Sequence, residues 1–156
     1  MVKFKESCLP LEYNGVTIEQ VSSFKLFGVS VNTALRWNNH IDTIKTKASK
    51  RLYFLKQLRR AGLSSDYLLQ YYKTVIRPVV EYACPLWHSS ISAEQARSLE
   101  SIQRRALRII TPVITPYKDP CLEFNIQTLN ARRDFLANKI LLPALSSEWF
   151  PSPTLT

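Results

Sequence analysis

From Asn38 onward, apolar residues return every third or fourth position. Ile41, Ile44, Ala48, Leu52, Leu55 and Leu58 fall on one side of a helix that steps about 100° per residue. Ala61-Gly62 stops it. Ser64 or Ser65 then caps a second helix, "DYLLQYYKTVIRPVVEYACPLW", in which Pro78 and Pro85 predict a kink or break, because proline lacks the N–H and crowds the preceding turn. A third helix opens at Ser92 with Gln95 three residues on, a capping-box spacing, and runs to Ile110 before Pro112. Leu99, Ile102, Ala106 and Ile109 mark its core side. "IQTLNARRDFLANKILLPAL" predicts a fourth helix.

Before Trp37 the period shortens to two. "VKFKE" alternates, and "LEYNGVTIEQV" carries Asn14-Gly15, the pair that suits a tight hairpin turn with positive φ at both centres. "FKLFGVSV" follows, with Gly28 predicting a bend or a close backbone approach. The fold class expected is therefore mainly α: short N-terminal β strands or a hairpin, followed by about four helices. The expected organisation is strands over residues 1–36, a helical domain over 37–110, a Pro-rich loop and a further helix over 111–145, and a flexible tail over 146–156. No repeat or low-complexity tract interrupts it.

Composition sharpens this picture at few points. The chain has 156 residues, 46% of them hydrophobic, enough for one domain with a core. No apolar run reaches the length of a membrane span, and "MVKFKESCLP" lacks the apolar stretch of a signal peptide, so neither membrane nor secretion is expected. Cys8, Cys84 and Cys121 are odd in number and far apart; they predict buried small residues in a reducing compartment. The strong departure is a formal charge of +9, which favours polyanionic partners.

The charge has two concentrations. "KTKASKRLYFLKQLRRAG" places Lys45, Lys47, Lys50, Arg51 and Lys56 on the first helix without a carboxylate among them. On the third helix Arg97, Ser101, Arg104 and Arg108 form a line facing away from its apolar side. Guanidinium forks match phosphate oxygens, so these eight cations are the candidate nucleic-acid contacts. A solvated face is the plain alternative. Tyr53, Tyr71, Tyr72 and Trp87 could stack on bases, although at helical spacing aromatic rings more often fill a core.

Catalysis finds little to stand on. Metal-dependent phosphoryl transfer needs paired carboxylates, and Asp42, Asp66, Asp119 and Asp134 each stand apart from other acids. His40, Asp42 and His88 supply the residue types of a two-histidine, one-carboxylate iron site, with Arg97 as a partner for an oxoglutarate carboxylate. Against it, His40 opens a helix and His88 follows one, whereas such sites sit on jelly-roll strands. No metal or cofactor is expected. Asp42 is read instead as a helix first-turn acid favoured by the dipole.

Taken together, "FKLFGVSVNTALRWNNHIDTIKTKASKRLYFLKQLRRAG", "LLQYYKTVIRPVVEYACPLWHSSIS" and "LESIQRRALRII" resemble the C-terminal part of LINE-type (non-LTR) retrotransposon reverse transcriptases. The resemblance spans Glu19 to Ile110 and extends more weakly to "TLNARRDFL". It implies that residues 2–6 are the last palm strand, and that the "FKLFGV" hairpin is a primer-grip-like element with Phe24, Lys25 and Gly28. The helices from Trp37 onward would be a thumb that holds an RNA/DNA duplex by its backbone, without sequence preference. Leu26-Phe27 departs from the family phrase before the glycine. The resemblance further implies that the fingers and the catalytic aspartates lie upstream of Met1, leaving a fragment without polymerase chemistry, intracellular and nuclear, whose palm-facing surface could self-associate. The segment "WNNHIDTIKTKASKRLYFLKQLRRAG" also resembles sequences labelled as the N-terminal module of AlkB-type alkylation-repair proteins. That label implies association with oxygenase or methyltransferase activity; the helical pattern attributes it to the same retrotransposon-like segment.

Overall fold

The computed structural model describes residues 11–111 and 120–145. The expected strand "VKFKE", Cys8, most of the Pro-rich loop and the C-terminal tail lie outside the described residues.

Two small antiparallel hairpins come first. β1 (Glu12–Tyr13) pairs with β2 (Val16–Thr17), and Asn14 and Gly15 turn between them with φ 49° and 76°. β3 (Ser23–Leu26) pairs with β4 (Val29–Asn32) across Phe27 and Gly28, with φ 46° and 80°. The bend expected at Gly28 is thus a full two-residue reversal, of the kind whose twist matches the strands it joins. Its first position is a phenylalanine, which the left-handed region disfavours. Val29 is buried against the helices, while all of β3 is exposed.

α1 (Asn38–Arg60) forms where the pattern placed it, burying Ile41, Ile44, Ala48, Leu52 and Leu55. Gly62, at φ 86°, completes its C-terminal turn. Asp42 is not in the first turn of this helix; it lies a turn further on, exposed, against Lys45 at 3.3 Å, so the dipole reading of Asp42 is corrected.

The proline-bearing stretch breaks into pieces, each break with a local cause. α2 (Ser65–Tyr71) passes into a π-helical turn (Tyr72–Ile76) and then α3 (Arg77–Glu81). Pro78 offers no N–H and would crowd the carbonyl of Thr74; the widened turn just before it absorbs that conflict without ending the helix. After Tyr82, Ala83 adopts φ 51° and the chain turns sharply into α4 (Cys84–Trp87). Pro85 sits at the start of α4, where a missing N–H costs nothing. A 3-10 turn (His88–Ser90) leads to α5 (Ala93–Ile110). The capping box is present: the Gln95 N–H donates to Ser92 Oγ at 3.1 Å and the Ser92 N–H to Gln95 Oε1 at 2.8 Å.

α5 runs parallel to α1. Near their starts Gln95 Nε2 donates to Asn38 Oδ1 at 2.7 Å, and near their ends Arg59 Nη1 donates to the carbonyls of Ile109, at 2.6 Å, and Ile110. Arg59 thereby closes carbonyls that the last turn of α5 leaves open. The buried face of α5 is Leu99, Ile102, Gln103, Ala106, Leu107 and Ile110; Ile109, expected in the core, is only half-buried. A short α6 (Pro120–Glu123) precedes α7 (Leu129–Leu145), which begins three residues later than the pattern suggested. The cause is N-capping: Thr128 Oγ1 accepts from the Ala131 N–H at 3.2 Å, and the Glu100 carboxylate accepts from the Leu129 and Asn130 N–H groups at 3.3 and 2.5 Å. Cys84 and Cys121 are buried as expected. Among the described residues no helix is long and apolar enough to cross a membrane.

Candidate nucleic-acid interface

A cleft of about 490 Å³ opens between the β3–β4 turn, α1 and the π turn that leads into α3. Its walls are Gly28 and Tyr82 at one end, Val75, Pro78 and Val79 along one side, and His40, Ile44, Lys47 and Arg51 along the other. Lys47 and Arg51 stand four residues apart on α1, hence on one line of the helix. No acidic side chain lines the cleft, and neither cation makes an ion pair among the described residues. Thr43 and Thr74 also border it, but their hydroxyls donate to the carbonyls of Asn39 and Gln70. The charged donors available to a ligand are therefore Lys47 and Arg51.

The floor of the cleft is His40, 1% exposed and held edge-on between Trp37 and Trp87, with ring centroids 6.0 and 5.9 Å away. The Ser30 N–H points at His40 Nδ1 at 3.5 Å, which assigns the ring proton to Nε2. That nitrogen has no hydrogen-bond partner among the described residues. Burial, and then the nearby charge of Lys47, holds the His40 pKa below its ordinary 6.5, so the ring is neutral at neutral pH. The rim is set by Tyr82, whose hydroxyl donates to the Phe27 carbonyl at 2.6 Å. Its ring carbon Cε1 lies 3.6 Å from where a Gly28 Cβ would stand. The strained turn is thus clamped to the helices at the mouth of the cleft.

The sequence-predicted residues divide around this feature. Lys47, Arg51 and Gly28 line the cleft. Lys45 lies on the other flank of α1, toward the start of α5, in a small hollow with Asp42, Glu94 and Ser98. At about 100° per residue Lys56 shares that flank and Lys50 points outward. Phe24 and Lys25 border a separate hollow with Asn32 and Arg36, so the primer-grip-like set is split between two places. Arg97, Arg104 and Arg108 are exposed along α5, opposite its core side, as the pattern indicated. Tyr72 and Trp87 are fully buried, whereas Tyr53 is 60% exposed.

The iron-site constellation does not assemble. His40 and Asp42 project from opposite sides of α1, and His88 Nε2 pairs with Asp134 Oδ1 at 2.7 Å. No group of three metal-ligating side chains occurs among the described residues.

A second polar cluster escaped the sequence reading. Arg132 forms a bidentate pair with Glu81, at 2.8 and 3.2 Å, where Arg77 also approaches at 3.7 Å. Arg133 is fully buried, 5.8 Å from the Trp87 ring centroid, donating to His88 Nδ1 at 3.3 Å, with Glu100 at 3.9 Å. Its two terminal nitrogens have no hydrogen-bond partner among the described residues, and burial lowers its pKa. Nearby, buried Gln103 accepts from the Tyr72 hydroxyl at 2.9 Å and donates to the Gln127 carbonyl at 3.0 Å. Adjacent arginines in "NARRD" give no sign of which is buried; only the packing of α4 and α5 decides it.

Fold and site together define a mainly helical protein with N-terminal hairpins and a cationic cleft. Among known families, the model described as alkylated DNA repair protein alkB homolog 8, N-terminal, matches residues 37–77. That span holds α1, α2 and the π turn, which carry His40, Lys47, Arg51 and Thr74; the hairpins, α5 and α7 lie outside it. No curated protein and no solved structure matches the chain. The resemblance to retrotransposon reverse transcriptases has no counterpart in these matches.

Proposed function

We propose that this protein binds the sugar–phosphate backbone of nucleic acid through the cleft, as a helical module without catalysis of its own that accompanies an enzyme acting on nucleic acid. The observation that carries this reading is the cleft itself: Lys47 and Arg51 face an open, largely apolar groove with no acid among the described residues of its lining. Cations held without carboxylates retain their charge for an incoming anion. The match over residues 37–77 supports the AlkB-type N-terminal assignment, because the matched segment supplies one wall of the cleft and part of the other. Lys50, and the α5 stripe of Arg97, Arg104 and Arg108, with Lys45 and Lys56, add diffuse attraction.

The test is a salt titration of duplex binding by fluorescence anisotropy. Affinity should fall linearly with salt on logarithmic axes, and Lys47→Ala with Arg51→Ala should lower the slope by about one per phosphate contact removed. Replacing Arg97 and Arg104 together should have the smaller effect. Binding insensitive to salt, or unchanged in the cleft double variant, would sink the reading.

A second reading is favoured by one observation. The reverse-transcriptase resemblance runs from Glu19 to Ile110, wider than the family match, and so takes in the Phe27-Gly28 turn at the mouth of the cleft. On that reading the module is a thumb that grips a primer–template duplex, and a nuclear location follows. The genomic sequence adjoining this reading frame discriminates: a fingers-and-palm coding region supports the thumb, and an AlkB-type catalytic domain supports the accessory module.

A further inference from the structure

Beside the cleft, α1 carries two large aromatic side chains that serve no core. Tyr53 is 60% exposed and Phe54 58% exposed, with ring centroids 5.9 Å apart at 74°. They belong to the same surface as the cations. Phe54 is three residues from Arg51, four from Lys50 and seven from Lys47, spacings that bring side chains onto one helix face. Tyr53 is three residues from Lys50. A solvated helix face has no need of two adjacent rings, and the apolar core of α1 is already complete without them.

We propose that Tyr53 and Phe54 form a stacking platform that continues the cleft, so that the ligand is a single-stranded nucleic acid or the single-stranded extension of a duplex. The inference rests on the backbone-binding reading of the cleft and deepens it by naming the ligand class. In a duplex the base faces are occupied by their neighbours, and an exposed ring gains nothing from them. In a single strand they are free, and aromatic rings interleaved with cations hold base and backbone together. Charge complementarity favours this occupant over an apolar protein surface: Lys50 and Arg51 stand one turn before Phe54 and Lys47 two turns before it on the same helix face, and no acid among the described residues lines the adjoining groove.

The experiment uses the full chain and three fluorescent probes: a thymidine oligomer and a uridine oligomer of roughly 12 nucleotides, and a blunt duplex of the same length. Wild-type protein should bind the single strands more tightly than the duplex at matched salt. Phe54→Ala should weaken single-strand binding about fivefold or more, leave duplex binding unchanged and leave the salt slope unchanged. Phe54→Leu retains apolar area without a π face and should behave like Phe54→Ala. Phe54→Trp should restore or improve binding. Equal losses on duplex and single strand, full activity in Phe54→Leu, or no loss in Phe54→Ala would overturn the inference. So would sedimentation in which Phe54→Ala abolishes concentration-dependent association while oligonucleotide binding stays intact, since the rings would then be a protein contact. Loss of all binding in the Lys47→Ala, Arg51→Ala variant supports the cleft reading whatever Phe54 does, so the two ideas fail separately.

Discussion

Lys47 and Arg51 stand in a groove with no acid among the described residues of its lining, while Arg132 and Arg133 are set against Glu81 and Glu100. All four are cations on helices, yet their surroundings give them different work. Arg132 and Arg133 tie α7 to α3, to Trp87 of α4 and the 3-10 turn after it, and to α5, and their charge is taken up by the fold. Among the described residues Lys47 and Arg51 make no ion pair, so their charge is left for the cleft. Positive charge in a sequence therefore says little until partners are known; the unpaired fraction is what a polyanion meets.

The comparison breaks first at Glu100. This carboxylate caps two N–H groups of α7 and is the acid nearest to a fully buried guanidinium. Glu100→Ala should cost about 3 kcal/mol, because it uncaps a helix and leaves a buried charge without compensation. Lys47→Ala and Arg51→Ala should change stability by less than about 0.5 kcal/mol. Urea unfolding midpoints of the three variants measure this, and equal losses would show that the cleft cations are structural after all.

Arg133 offers a sharper version. Two of its nitrogens are buried without hydrogen-bond partners among the described residues, so burial of the charge is imperfectly compensated there. Arg133→Met keeps much of the volume and removes the charge. Its stability should lie within about 1 kcal/mol of wild type, or above it. A loss as large as that of Glu100→Ala would mean the guanidinium holds the helices together more strongly than its contacts indicate.

How much of this was legible beforehand depends on the range of the interaction. The α1 face, the capping box at Ser92 and Gln95 and the Asn14-Gly15 turn are local, and the sequence displays each of them directly. The π turn before Pro78 was legible only as trouble at Pro78, since several geometries relieve the same clash. The division of the α1 cations was not legible, because it depends on which flank α5 covers and which α2 and α3 cover. For the same reason Gln103 and Arg133 could not be known as core residues: polar side chains are buried only where distant partners receive them.

The floor of the cleft predicts a pH dependence of its own. The folded-state pKa of His40 lies below 6.5 because burial and Lys47 oppose its charge. An unfolded chain therefore binds a proton there before the folded one does. The associated stability is complete above about pH 6.5 and is lost as pH falls from that value toward the lowered folded pKa. His40→Gln should flatten the acid limb of a melting-temperature profile. An unchanged limb would assign acid sensitivity to other groups.

The smallest effect expected is at the rim. Phe27 opens the β3–β4 turn at φ 46°, a conformation that costs a bulky residue stability and that asparagine tolerates well. Phe27→Asn recreates the Asn-Gly pair that already turns β1 into β2, and should stabilise the hairpin by about 0.5 kcal/mol. The Phe27 side chain is 85% exposed, so no core packing offsets the gain. Amide exchange of the β3–β4 ladder reads this locally, and Gly28→Ala, forced to φ 80°, should move it the other way. If Phe27→Asn instead weakens oligonucleotide binding while protecting the ladder, the strained phenylalanine is held at the mouth of the cleft for the ligand rather than for the fold.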